Sequence, residues 1–351
     1  MKKINYSIQG LRGLFALGVL LSHCSFLGNY AQSASSYDNI FSKLANVSFF
    51  FILSGFFALK SQSGSVKFFE FLKKKMFRIY PLYLMILLVV VAFKILTSSF
   101  ETSPDKMVSL LLNIFLLQGW GGLSAATGFY TVSWFLSSLI FCYIVGYWLC
   151  KLIKSNPSKA WLLIYSLAAI LIAFKCIAAI CFPNSNTGYY LCYLFPPAGL
   201  ADFLLGMIIA QHINKLKLND RTILMLQIAA IAVLIVSYML KLWLPRNYCR
   251  AFLMIPANIL IVLSFNIETA FSKVAFGNKI MAFIGDISFE IYLSHVLIIS
   301  MLSKIPIFNR VSASVSPFLT LILFICICVL CAYIYKVVFK WITQKMSKKH
   351  T

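Results

Sequence analysis

The sequence predicts an all-α fold, a polytopic transmembrane helical bundle of about ten spans. Three observations predict it. Of the 351 residues 61% are hydrophobic and only 11% charged, and the mean hydropathy is +0.89, a composition foreign to soluble globular domains. Apolar runs lie near 8–26, 40–59, 79–97, 131–150, 160–181, 190–211, 222–243, 251–267, 281–302 and 316–339, each close to the ~20 residues that a helix needs to cross a bilayer core. Finally, Lys and Arg alternate between rich and poor loops. With the N-terminus inside, the inner segments hold Lys2, Lys3, Lys60, Lys67, Lys73, Lys74, Lys75, Arg78, Lys151, Lys154, Lys159, Lys217 and Lys349 among others, and the outer loops only Lys43, Lys106, Lys241, Arg246, Arg250, Lys304 and Arg310. That bias predicts an even number of spans with both termini cytoplasmic.

Taken in order, the opening MKKINYS resembles the basic start of a signal peptide. No small-x-small cleavage site follows and more spans come after, so the segment reads as retained. The run 107–118 is too short to cross and reads as an interfacial or re-entrant helix. There is no repeat, low-complexity tract or appended soluble domain, so residues 1–351 read as a single transmembrane domain. The net charge of +22, from 31 Lys+Arg against 9 Asp+Glu, would suggest nucleic acid in a soluble protein. In this composition it reads as cytoplasmic loops suited to membrane lipids or an anionic cofactor, with no nucleic-acid partner. Ten cysteines lie scattered in apolar segments without metal-ligand spacing, and read as small buried residues; neither a disulfide framework nor a metal is expected.

Ionisable residues inside apolar runs are the candidate functional groups, because each is costly at membrane depth. Arg12 and His23 lie in the first run. On a helix their spacing leaves them roughly 20° apart around the axis and about 16 Å apart along it, a cation at one end of a face and a titratable base at the other. Taken alone, the pair fits an interface-seeking arginine and a capping histidine equally well. The segment Lys60 to Pro81 packs six Lys/Arg against Glu70, just after Ser54-Gly55-Phe56. It reads either as an ordinary cytoplasmic anchor or as a docking surface for phosphates. Arg78 is its best single ligand, because a guanidinium binds phosphate through two parallel hydrogen bonds. In the ninth run, Ser288, Tyr292 and His295 form one polar stripe, with Asp286 and Glu290 on another. Function and interhelical packing balance for His295, and packing leads for Asp286. Trp120 and Trp134 are expected at the outer surface, as belt residues or a sugar platform. Asp202 is a buried acid able to pair with a cation or tune a base.

These stretches, in order, resemble the acyltransferase-3 family of integral-membrane acyltransferases that O-acetylate bacterial surface polysaccharides. The resemblance rests on Leu11-Arg12-Gly13 with His23 following, on Ser54-Gly55-Phe56, on Arg78 to Pro81 with Tyr83, on Trp134, and on Gly285, Ser288, Tyr292, Leu293 and His295. It covers most of the chain. Many members have a second basic residue three before the arginine of the Arg78 to Pro81 motif, and here it is Lys75. Gln9 stands where many members have an acid, and Leu139 where many have the acid of the fourth span. If an acid supports His23, Asp202 and Glu290 are the ones to consider.

The resemblance implies an acyl-CoA donor, most often acetyl-CoA, on the cytoplasmic side, and a glycan or lipid-linked glycan acceptor outside. It makes His23 the general base or the carrier of an acyl-imidazole. It makes Arg12, Lys75, Arg78, Ser54 and Tyr80 donor ligands, and Trp134, Ser288, Tyr292 and His295 acceptor ligands. O-antigen, capsule or exopolysaccharide is the implied acceptor, and the bacterial inner membrane the implied location. A transporter or flippase for a glycan or lipid-linked sugar is the competing class. Its inverted repeat is not evident in the sequence.

Overall fold

The computed structural model describes residues 5–24, 43–61, 66–216, 218–305 and 317–348. Lys2, Lys3, Lys217, Arg310 and Lys349 of the basic set lie outside the described residues, as do the ends of several expected spans. All regular structure among the described residues is helical. Among the described residues seven helices are long and apolar enough to cross a membrane: Phe68–Leu96, Thr131–Ser155, Pro157–Cys181, Asn186–His212, Asp220–Leu240, Arg246–Phe265 and Leu319–Trp341. An eighth is a pair, Lys279–Asp286 and Ser288–Leu302, bent by 66°. Tyr6–Leu21 and Ser48–Lys60 are shorter apolar helices. Each of the ten expected runs therefore meets a helix, and three of them differ from an unbroken span. The run at 107–118 forms only Pro104–Ile114, eleven residues, too short to cross.

The departures have local causes. Tyr6–Leu21 starts where the Asn5 side chain accepts from the Ile8 amide at 2.8 Å. It ends because two side chains turn back on its last turn. The Ser22 hydroxyl donates to the Val19 carbonyl at 2.6 Å, and the His23 Nδ1 lies 2.9 Å from the same oxygen. His23 thus sits in the turn after the helix rather than on its regular face. The ninth run was expected to be one helix with Asp286 and Glu290 on a shared face; it breaks at Ile287 instead. The Asp286 carbonyl takes the Lys336 ammonium at 2.6 Å, and the Gly285 carbonyl takes the Ser288 hydroxyl at 2.8 Å. Side-chain donors stand where a straight helix would use the next turn's amides. Pro81 was expected in the first turn of the third span, yet that helix begins at Phe68 and holds Pro81 in its interior.

The chain divides into two compact units. One comprises Met1–Ala45, Leu82–Phe100 and Lys273–Thr351, the other Asn46–Pro81 and Glu101–Ser272. In the first, Leu20, Cys24, Ile287, Ile291, Phe324 and Cys328 are buried together. Tyr6–Leu21 runs parallel to the bent pair at backbone contact. A Cβ at Gly10 would fall on the Phe276 carbonyl, one at Gly13 would meet the Gly285 nitrogen at 2.8 Å, and one at Gly285 would fall on the Gln9 carbonyl. Small residues at such crossings let the backbones meet. Gly285→Ala is therefore expected to destabilise the purified protein by about 1–3 kcal/mol and to lower its melting temperature; an unshifted melting curve would refute the contact.

In the second unit Ser48–Lys60 and Pro196–His212 are joined the same way. Gly199 meets the Phe51 ring, a Cβ at Gly55 would strike the Phe203 carbonyl, and one at Gly206 would lie 2.8 Å from the Phe56 nitrogen. Those pairings advance together, so these two helices are also parallel. Asn46 and Asn258 exchange amide hydrogen bonds at 2.8 and 2.9 Å, both fully buried. Trp134, expected at the outer surface, is 5% exposed between Phe51 and Tyr193, while Trp120 is 43% exposed.

Candidate active site

The parallel register of Tyr6–Leu21 with the bent pair brings four of the candidate residues together in the first unit. Gln9 donates to the Ala282 carbonyl at 2.9 Å. About one turn later the Arg12 guanidinium donates to the Ser288 hydroxyl at 3.3 Å. At the other end, His23 meets His295, with Nδ1 to Nε2 at 3.3 Å and ring centroids 5.0 Å apart. The polar stripe of the ninth run thus faces the Arg12–His23 side of the first, from the arginine end to the histidine end. Tyr292 completes it, buried with its ring centroid 6.1 Å from that of His295.

The contacts assign the proton on each ring. His295 Nδ1 lies 3.1 Å from the Ile291 carbonyl, which can only accept, so that nitrogen carries the hydrogen and Nε2 carries the lone pair. His23 Nδ1 lies 2.9 Å from the Val19 carbonyl and therefore also carries a hydrogen, shared with the His295 Nε2 lone pair. The lone pair of His23 is then on Nε2. Among the described residues no hydrogen bond uses that atom. The two rings form a hydrogen-bonded imidazole pair whose His23 member is half-buried.

The acid sought beside His23 is not what its Nδ1 meets; an imidazole stands there. Asp202 lies in the second unit and is held by Lys175, Nζ to Oδ1 2.8 Å, with both side chains almost wholly buried. Glu290 sits in the first turn of Ser288–Leu302, where a carboxylate is favoured by the helix dipole, and its Oε2 is buried without a hydrogen bond. Asp286 pairs with Lys336 at 2.6 Å.

Of the expected donor ligands in the second unit, Arg78 is exposed, and the Lys75 ammonium lies over the Tyr143 and Phe71 rings at 4.4 and 5.5 Å. Tyr80 donates to the Ile114 carbonyl at 2.9 Å, and Ser54 is half-buried on its helix. Lys175 escaped the sequence reading. Its signal was available, a lone lysine in the middle of an apolar run.

Residues 5–337 match the family model described as "Acyltransferase domain", the acyltransferase-3 family. Acyltransferase MdmB of Streptomyces mycarofaciens is 26% identical over 312 residues, a stretch covering 84% of this chain and 78% of that protein. No solved structure matches. A helical membrane architecture and a family match across nearly the full length converge on one assignment: the chain belongs to the acyltransferase-3 family and is an integral-membrane acyltransferase.

Proposed function

We propose that the protein is a membrane O-acyltransferase that moves an acetyl group from cytoplasmic acetyl-CoA to a hydroxyl of a cell-envelope glycan, with His23 as general base. The observation that carries this reading is the proton assignment of the histidine pair. A base must offer a lone pair within reach of the hydroxyl it activates. His23 offers one at Nε2 because its Nδ1–H is held by Val19 and His295. Nε2 takes the hydroxyl proton as the acceptor oxygen attacks the thioester carbonyl. When the C–S bond breaks, the imidazolium returns that proton to the leaving thiolate. Positioned general bases of this kind contribute about 10²–10⁴ in rate.

Arg12, fixed by Ser288, offers a guanidinium in the helix that leads to His23, on the side where cytoplasmic donor phosphates would arrive. Exposed Arg78 and the adjacent Lys75 are the further phosphate ligands that the resemblance supplies. The two parallel helix pairs support the inside-out alternation. Each joins runs of equal parity, first with ninth and second with sixth, as alternating spans must; the placement in the bacterial inner membrane with both termini cytoplasmic rests on the charge bias of the loops and on the family resemblance.

The test is a comparison of cell-envelope glycans made with and without the protein, joined to an assay with acetyl-CoA. Acceptor glycans are expected to gain the mass of an acetyl group only when protein and donor are both present. An unchanged acceptor would overturn the reading in favour of transport. Arg12→Ala is expected to raise the KM for acetyl-CoA about tenfold with a smaller change in kcat. An unaltered donor dependence would remove Arg12 from phosphate binding.

A further inference from the structure

We propose that the second unit carries an oxyanion site formed by Arg246, Arg250, Tyr189 and Tyr193, and that its ligand is the carboxylate or phosphate of an acidic acceptor glycan. Tyr189 and Tyr193 are stacked, with centroids 5.7 Å apart and planes 26° from parallel. The Arg250 guanidinium lies 4.4 Å from the Tyr189 ring centre and 4.6 Å from that of Tyr193. That of Arg246 lies 4.8 Å from the Tyr189 ring centre. Two permanent cations therefore share one aromatic ring, and their mutual repulsion calls for an anion.

The described residues supply none. The ion pairs among the described residues join Lys106 to Glu101, Lys175 to Asp202 and Lys336 to Asp286, and no carboxylate meets either arginine. The hydrogen-bond accounting points the same way. Arg246 spends one end on the Ser185 carbonyl and the Asn186 side chain, both at 3.2 Å. Its Nε is buried without a partner, and so is Nη1 of Arg250. A buried charged donor left unmade is expensive, and a ligand oxygen is the ordinary remedy.

The backbone is shaped around this cluster. Tyr190–Leu194 and Cys249–Leu253 are both π-helical turns, a rare form that recurs at functional sites. Asn247 ties the neighbouring loop down through the Phe182 carbonyl at 2.6 Å and the Ser185 carbonyl at 3.1 Å. The site is thus set before a ligand arrives. Trp134, buried with its ring 4.9 Å from that of Tyr193, backs the tyrosine from within. A glycan offers what this surface accepts, an oxyanion for the guanidinium edges and apolar sugar faces for the rings. The glycan assignment rests on the proposed function, in which these residues face the acceptor side.

The experiment uses full-length protein in phosphatidylcholine nanodiscs, titrated with trigalacturonate, glucose 1-phosphate and neutral maltotriose. Trigalacturonate or glucose 1-phosphate is expected to bind, the tighter of the two naming carboxylate or phosphate, with affinity falling as salt rises. Arg250→Gln should weaken that binding about tenfold or more, and Arg250→Lys, which keeps the charge and loses the fork, should lie between. Unchanged affinity in a normally eluting Arg250→Gln protein, or maltotriose binding as tightly as the acids, would overturn the site. Loss of saccharide binding when phosphatidylglycerol enters the nanodisc would reassign it to a lipid headgroup and overturn the glycan. No acyl donor is needed for this readout. Absence of acetyl transfer would therefore sink the functional reading and leave the oxyanion site standing.

Discussion

His23→Ala is expected to reduce acetyl transfer by about 10²–10⁴ in kcat while the protein elutes and melts as the parent does. The side chain is half-buried in the turn after its helix, so unchanged elution and melting would make the loss chemical rather than structural. In the proposed mechanism His295 acts only through His23, and its substitution discriminates positioning from packing. His295→Gln keeps a carbonyl acceptor for the His23 Nδ1–H, and His295→Leu keeps the volume without it. The glutamine variant is expected to retain more activity than the leucine variant, by about tenfold, because partners that orient a functional imidazole are worth that much or more. Equal losses in the two would reduce His295 to a packing residue, and full activity in His23→Ala would remove the base from the mechanism.

Lys175→Met is expected to destabilise the protein by about 3–5 kcal/mol, seen as a lowered melting temperature in detergent. The lysine and Asp202 are 1% and 2% exposed, and their 2.8 Å pairing joins Pro157–Cys181 to Pro196–His212. Removing the cation leaves a buried carboxylate uncompensated, which costs more than the pair itself ever contributed. The double variant Lys175→Met with Asp202→Leu removes both charges and is expected to recover most of the loss. A double variant as unstable as the single would show that the penalty comes from lost packing. The same geometry gives Asp202 a buried structural partner in Lys175.

What the sequence determined by itself was whatever depends on local composition. Apolar runs of spanning length place ten helices, because a bilayer leaves no other way to satisfy the backbone. The spacing of Ser288, Tyr292 and His295 put them on one face, since that needs only the helical period. Arg12 and His23 stood out because ionisable groups in such runs are expensive. Only the tertiary structure decided their partners. Contacts such as His23 with His295 or Asp202 with Lys175 join residues far apart in the chain, and no local pattern encodes them. The break at Ile287 was invisible for the same reason: the ammonium that takes the Asp286 carbonyl arrives from Lys336, on another helix. Trp134 lost its expected place at the surface to rings from other helices, because burial is a property of the neighbours and not of the residue.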